Sequence, residues 1–238
     1  RIVGAESFTA DEGSGRWSED PYRLKTVGDR AFANGMTRVI FHRFAHQPWL
    51  DVQPGMTMGP WGTHFDRTQT WWKEAKEWVA YLSRCQSLLQ QGSFVADIAY
   101  FYGEDAPVDL PSRLGLKPSI PHGYDYDGID ASTLMSMTVK NGRLSLPSGM
   151  SYSVLVLPDS QYMTPWVALK VRDLVEAGGR VFGPKPLFSP SLVAYPASEF
   201  ELKAVSDQLW GDGKAGVRKV GRGSLATGGD FAARLKEL

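Results

Sequence analysis

Ser153-Val154-Leu155-Val156-Leu157-Pro158 is a short aliphatic run closed by proline, and Thr164-Pro165 follows it after a polar gap. Threonine at a cap position with proline next to it opens a helix. Proline's fixed φ suits the first turn, and the N–H it lacks has no partner there. The helix is expected to run to about Ala177 and to stop at Gly178-Gly179. Arg180-Val181-Phe182-Gly183 then returns as a strand. Strand, helix and strand in that order make a βαβ unit of a doubly wound parallel sheet with a right-handed crossover.

Around this unit the pattern repeats. Phe94-Val95-Ala96-Asp97-Ile98-Ala99-Tyr100-Phe101 reads as a strand, as does Arg143-Leu144-Ser145-Leu146, with a tight turn at Asn141-Gly142 before it. Helices are expected over 199–209 and from 231 onward. An amidotransferase-like catalytic domain would carry a cysteine on a sharp elbow after the strand at 153–157. Pro158-Asp159-Ser160 stands there instead, without flanking glycines. Ser160 alone, with no histidine after residue 122, is a poor nucleophile, so this half is read as non-catalytic.

The first half differs in composition. Six of the eight tryptophans (Trp17, Trp49, Trp61, Trp71, Trp72, Trp78) and three of the four histidines (His42, His46, His64) lie before residue 80. The shift sets a domain boundary near Gly92-Ser93, giving domains over 1–92 and 93–238. Arg1-Ile2-Val3-Gly4-Ala5-Glu6 is an apolar run ending in an acid. A helix over 21–34 follows, with Asp20 as cap, Pro21 in the first turn, Gly35 as stop, and Tyr22, Val27, Ala31 and Phe32 as its apolar positions. Thr37-Arg38-Val39-Ile40-Phe41-His42 is a strand with a buried middle, so a second strand–helix–strand unit with parallel pairing is expected. The clearest helix spans 68–91, where Trp71, Trp72, Ala75, Trp78, Val79, Leu82, Cys85, Leu88 and Leu89 step by three or four. On that spacing Trp71 and Trp78 read first as core residues.

With 238 residues the chain can bury a substantial core. Its 26 basic and 26 acidic residues cancel, which removes the electrostatic basis for a nucleic-acid partner. No run reaches the roughly 20 apolar residues of a membrane-spanning helix. Cys85 cannot form an internal disulfide, and no Walker or dinucleotide glycine motif occurs. The start at Arg1, without methionine, suggests a piece of a longer protein.

Chemistry concentrates at two strand ends. In parallel barrels catalytic groups project from the C-terminal edge, and Glu6 and His42 both stand at such ends. The alternative is that Glu6 caps a loop or pairs with Arg1, Arg16 or Arg38. The loop over 43–65 and the residues after it carry His46, Pro48, Trp49, Pro54, Trp61, His64 and Asp66. Aromatic faces beside imidazoles and carboxylates suit a sugar, whose C–H faces stack and whose hydroxyls bond. The four-residue spacing of His42 and His46 would join both on one metal only in a helix, which Pro48 disfavours.

Three strings join these observations: Val3-Gly4-Ala5-Glu6-Ser7-Phe8-Thr9, Phe41-His42-Arg43-Phe44-Ala45-His46-Gln47-Pro48, and Gly59-Pro60-Trp61-Gly62-Thr63-His64-Phe65-Asp66-Arg67. With Thr70-Trp71-Trp72 and Arg84-Cys85-Gln86-Ser87-Leu88-Leu89-Gln90-Gln91-Gly92, they resemble the C-terminal catalytic region of glycoside hydrolase family 106. Tyr124-Asp125-Tyr126-Asp127 and the run at 151–158 resemble the amidotransferase-like domain that follows it. Those enzymes are α-L-rhamnosidases acting on plant and microbial polysaccharides. The resemblance implies an α/β fold in which 1–92 are the last βα units of a (β/α)₈ TIM barrel and 93–238 an amidotransferase-like, flavodoxin-like doubly wound domain. It implies Glu6 as the general base of an inverting glycosidase, with an acid partner on an earlier strand in a missing N-terminal barrel segment of the same protein. It implies His42, His46, Trp61, His64 and Trp71 as substrate-binding residues, a Ca2+ ion in the full-length enzyme with ligands not assignable here, and an extracellular or periplasmic location. Two strands of a barrel would leave an open sheet edge, so the chain alone is expected to be inactive. Other readings are a β-galactosidase-type barrel glycosidase and a non-catalytic carbohydrate-binding protein.

Overall fold

The computed structural model describes residues 2–104 and 106–238, so the role suggested for Arg1 lies outside the described residues. The chain is a mixed α/β fold that divides into two compact units, 1–93 and 94–238.

In the first unit β1 (Gly4–Ser7) and β2 (Arg38–Phe41) pair in parallel, joined by α1 (Pro21–Ala33). The Asp20 side chain accepts from the Arg23 N–H at 3.0 Å, as a helix cap should. The buried face of α1 is Leu24, Gly28 and Phe32. Tyr22 and Val27, expected on that face, point outward instead, with Tyr22 88% exposed. The middle of β2 is not buried either: Ile40 and Phe41 are both exposed. Helix α2 (Ala75–Leu89) starts later than the apolar spacing suggests. The Asp66 carboxylate accepts the Thr68 N–H at 2.8 Å, a local turn that competes with helix, and a single 3₁₀ turn at Trp72–Glu74 precedes α2. Ala75, Trp78 and Leu82 are buried, whereas Val79, Leu88 and Leu89 are exposed. Gln86 Oε1 accepts the Val39 N–H at 2.9 Å and Gln90 Nε2 donates to Thr37 O at 2.7 Å, so α2 is sewn to β2 by side-chain amides. Phe8, Leu24, Phe32, Met36, Phe65, Trp78 and Leu82 form the core of this unit.

The second unit contains β3 (Ile98–Phe101), β4 (Tyr126–Ile129), α3 (Ala131–Ser136), β5 (Thr138–Lys140), β6 (Arg143–Ser145), β7 (Ser151–Tyr152), β8 (Val154–Val156), α4 (Pro165–Glu176), β9 (Arg180–Phe182), α5 (Ala197–Trp210), β10 (Gly216–Val220), β11 (Gly223–Thr227) and α6 (Phe231–Glu237). Six of its strands form one sheet in the order β10-β11-β9-β8-β3-β4, parallel except for β10 at the edge. The expected strand–helix–strand unit is β8–α4–β9. Successive side chains of a strand face opposite ways, and here both faces are covered. Ala99, Phe101, Leu155 and Val181 enter one cluster under α4 and α5, while Ile98, Tyr100, Val154, Val156 and Phe182 enter another with Phe231 of α6. β5, β6 and β7 form a separate antiparallel sheet. Asn141 and Gly142 turn from β5 into β6 with φ of +52° and +73°, the left-handed pair that a two-residue hairpin needs. β4, β5, β7, β10 and β11 have no counterpart among the strands expected from sequence. Among the described residues no helix is long and apolar enough to cross a membrane.

Candidate active site

Parallel pairing sets Glu6 opposite Ile40 and Ser7 opposite Phe41, so both strands release their chains at the same edge. His42 is the first residue beyond β2, and its N–H donates to Ser7 O at 3.0 Å. The Glu6 side chain is exposed, and its Oε1 accepts from the Thr9 hydroxyl at 2.6 Å. Arg16, one of the cations weighed as its partner, pairs with Glu12 at 3.2 Å instead.

The segment 62–65 lies across these strand ends. The Thr63 N–H is shared between Phe8 O and His42 O, both at 3.1 Å, and the Gly62 N–H reaches Ala10 O at 2.8 Å. The Arg43 N–H donates to Thr63 O at 2.9 Å, and the Phe65 N–H to Arg43 O at 3.1 Å. Gly62 has φ +72°, and a β-carbon there would lie 2.3 Å from His42 Nδ1. Only glycine lets the imidazole lie so close to this backbone. His42 Nδ1 is itself buried and has no partner among the described residues.

Beneath this edge sits a buried polar cluster. Arg43 donates through Nε to Trp61 O at 3.2 Å, and its Nη2 is 2.7 Å from His64 Nε2. A guanidinium has no acceptor, so His64 Nε2 must accept and the ring proton belongs on Nδ1. The His64 ring stacks on Trp17 with centroids 3.8 Å apart. Trp17 Nε1 donates to Thr68 Oγ1 at 2.7 Å, and that hydroxyl donates to Asp66 Oδ1 at 2.5 Å. Burial first, and then the Arg43 charge, push the His64 pKa below the ordinary histidine value, against the opposing pull of Asp66 and the Gly59 backbone. The ring is therefore neutral at pH 7. The Thr63 hydroxyl donates to the Glu19 carboxylate, and Trp71 Nε1 donates to Glu19 O at 2.9 Å.

The six residues expected to act on substrate thus divide. Glu6, His46 and Trp61 are exposed, and His42 is half-buried at the strand edge. His64 is 0% exposed, packed between Trp17 and Arg43, and has no surface to offer a sugar. Trp71 is half-buried, packs its edge against Phe65 at 6.0 Å, and has its N–H engaged by Glu19. In this structure both side chains are engaged in holding the loop: His64 by Arg43 and Trp17, Trp71 by Glu19 and Phe65. His46 is exposed on the same loop, and among the described residues no hydrogen bond joins it to the strand ends. Sequence reasoning passed over Trp17, Glu19 and Arg43. Arg43 alone carried a signal, since it follows a strand-end histidine directly.

The described residues assemble no carboxylate cluster for the Ca2+ expected in the full-length enzyme. No group of three or more His, Cys, Asp or Glu side chains among them is arranged to hold a metal. Asp66 Oδ2 is buried without a partner, but the neighbouring Arg43 already supplies the local positive charge. What the edge does offer is an exposed carboxylate held by a neutral hydroxyl, an imidazole beside it in the chain register, and an exposed indole on the crossing loop. Those groups can move a proton at a polyhydroxylated ligand while stacking on its C–H face.

Comparison with known proteins sets the chain among glycoside hydrolases. The model of glycoside hydrolase family 106, alpha-L-rhamnosidase, matches residues 1–238, and the chain belongs to that family. A Formosa agariphila protein named "Putative beta-glucuronidase" is 47% identical over 236 residues, covering 99% of this chain and 19% of that protein. A solved rhamnosidase from Novosphingobium sp. PP1Y is 32% identical with a TM-score of 0.82, covering 99% of this chain and 22% of the rhamnosidase. The chain therefore spans about a fifth of the length of each.

Proposed function

We propose that this chain is the C-terminal part of a longer glycoside hydrolase that cleaves α-L-rhamnosidic bonds in polysaccharide outside the cell or in the periplasm. The observation that carries the reading is the pair of parallel strands that release Glu6 and His42 at one edge, in a chain matched along its whole length by the rhamnosidase family model. In this reading β1 and β2 are the last strands of a (β/α)₈ barrel and 94–238 are an amidotransferase-like domain without catalytic groups. Glu6 acts as general base on a water molecule, and an acid on an earlier strand protonates the leaving oxygen. Such inversion needs carboxyls roughly 6.5–9.5 Å apart. His42 and His46 bond sugar hydroxyls, Trp61 stacks on the ring, and His64 and Trp71 hold the loop beneath them.

The test is Glu6→Gln in the full-length enzyme, assayed on an aryl α-L-rhamnoside. Removing a general base should lower kcat by roughly 10²–10⁴-fold with little change in fold. Unchanged turnover would sink the assignment of Glu6. A second reading, a β-glucuronidase, is favoured by the name of the Formosa agariphila relative. Turnover of an aryl β-glucuronide in preference to the rhamnoside would select it.

A further inference from the structure

A small cavity of about 170 Å³ opens in the second unit between the first turns of α4 and α5. Trp166, Leu169, Ser189, Ser191, Ser198 and Glu201 line it. It is built from the segments that follow β8 and β9, on the side of a parallel sheet where open α/β folds take their ligands. Several polar groups near it are already engaged. The Thr164 N–H and hydroxyl both donate to Glu104 at 2.8 Å, and the Glu199 carboxylate accepts the Ser189 N–H at 3.1 Å. One is not. Ser198 is only 4% exposed, yet its Oγ has no partner among the described residues. A buried hydroxyl left without a partner costs free energy unless something binds it. Above it Trp166 is 49% exposed, an indole presented to solvent from the first turn of a helix.

We propose that this cavity is a second carbohydrate-binding site that takes a single neutral sugar ring. The Trp166 face stacks on the ring's C–H face, Ser198 Oγ, buried under the lining, turns about its single side-chain torsion to bond one hydroxyl, and Glu201 accepts from another. No lysine or arginine lines the cavity and Glu201 brings a negative charge, so a uronate or phosphate is rejected. Tyr162 and Phe188, half-exposed rings 5.9 Å apart, adjoin the cavity along the chain at Thr164 and Ser189 and offer a platform for the next unit. The cavity belongs to the second unit and Glu6 to the first. Only the choice of a rhamnoside as probe rests on the proposed function.

The test uses the full-length protein labelled with 5-fluorotryptophan. The Trp166 resonance is assigned by its disappearance in Trp166→Phe, and methyl α-L-rhamnopyranoside is titrated against it. The Trp166 line should shift to saturation, Ser198→Val should weaken that binding about tenfold, and sodium glucuronate should leave the line unmoved. Trp166→Phe should leave kcat/KM on a small aryl glycoside unchanged. A line that stays still while the active site saturates overturns the proposal, as does an equal response to glucuronate. If the enzyme hydrolyses no rhamnoside but the Trp166 line still shifts, the proposed function fails and this site stands.

Discussion

Arg43 Nη2 lies 2.7 Å from His64 Nε2, and the imidazole on the other side of that contact stacks on Trp17. A side chain that only donates thereby fixes a neutral histidine beneath the ends of β1 and β2. Protonating that ring would set two cations against each other in a site with 0% exposure for His64.

The first prediction concerns pH. Folding depresses the His64 pKa, through burial first and Arg43 second. Below the ordinary value of 6.5 the unfolded ring takes up a proton that the folded ring resists. The unfolded state then binds more protons, so stability falls as pH falls. The contribution is complete above pH 6.5 and is lost as pH drops through the depressed folded value. His64→Gln keeps an acceptor for Arg43 but cannot titrate. Denaturant unfolding at a series of pH values should show a steeper acid-side loss for the wild type than for this variant. Equal slopes would mean that another group governs the acid limb.

Thr68 closes a relay from Trp17 Nε1 to Asp66 Oδ1, with bonds of 2.7 and 2.5 Å. Thr68→Val keeps the shape and removes both bonds, leaving a half-buried indole N–H without its acceptor. The expected cost is about 1–3 kcal/mol of stability. Because Trp17 is the ring under His64, its near-UV signal should change together with the unfolding midpoint. A midpoint within experimental error of the wild type would show that water replaces the hydroxyl without loss.

How much of this was legible in the sequence depended on range. Local signals placed the element ends: Asp20-Pro21 opens α1, Pro165 opens α4, and Asn141-Gly142 makes the hairpin turn, because each depends on a few dihedrals; Thr164, read as a cap, makes no capping bond and is held by Glu104 instead. Burial was less legible. Tyr22 and Val27 fit an apolar helix stripe yet lie outside, since the face of α1 that packs is set by Phe8 and Trp78 from distant segments. The start of α2 was misread because Asp66 captures the Thr68 N–H, a competition that periodicity does not register. At the site, Glu6 and His42 were visible as polar residues at strand ends. Trp17, Glu19 and the engaged N–H of Trp71 were not, because their roles arise only when the loop before α1 folds onto the segment at 61–71.

Gly62 supplies a direct test of the strand-edge geometry. Its φ of +72° is strained for any other residue, and an added β-carbon would meet His42 Nδ1 at 2.3 Å and His42 O at 3.1 Å. Gly62→Ala should cost about 1–2 kcal/mol in backbone strain alone. It should also turn the His42 ring out of position, so kcat/KM on an aryl rhamnoside should fall by more than the folded fraction does. Activity that tracks the folded fraction alone would remove His42 from the site.

The two tryptophans assigned to substrate from sequence should behave oppositely. Trp61 is 48% exposed, and what it gives the fold is its backbone carbonyl, which accepts from Arg43 Nε. Trp61→Ala keeps that carbonyl and removes only the exposed ring. Loss of a stacking partner should raise KM about tenfold with Tm almost unchanged. Trp71 has its N–H on Glu19 O and its edge on Phe65, so Trp71→Ala removes a part-buried bond and leaves a hole in an aromatic cluster. For a half-buried ring it should cost up to about 3 kcal/mol, the low end for buried aromatic truncations. Trp71→Phe should restore part of the packing but not the bond to Glu19. Measuring Tm and KM for all three variants separates the roles. If Trp71→Ala raises KM while Tm holds, the indole reaches the sugar after all, and the loop over 61–71 must open in the working enzyme.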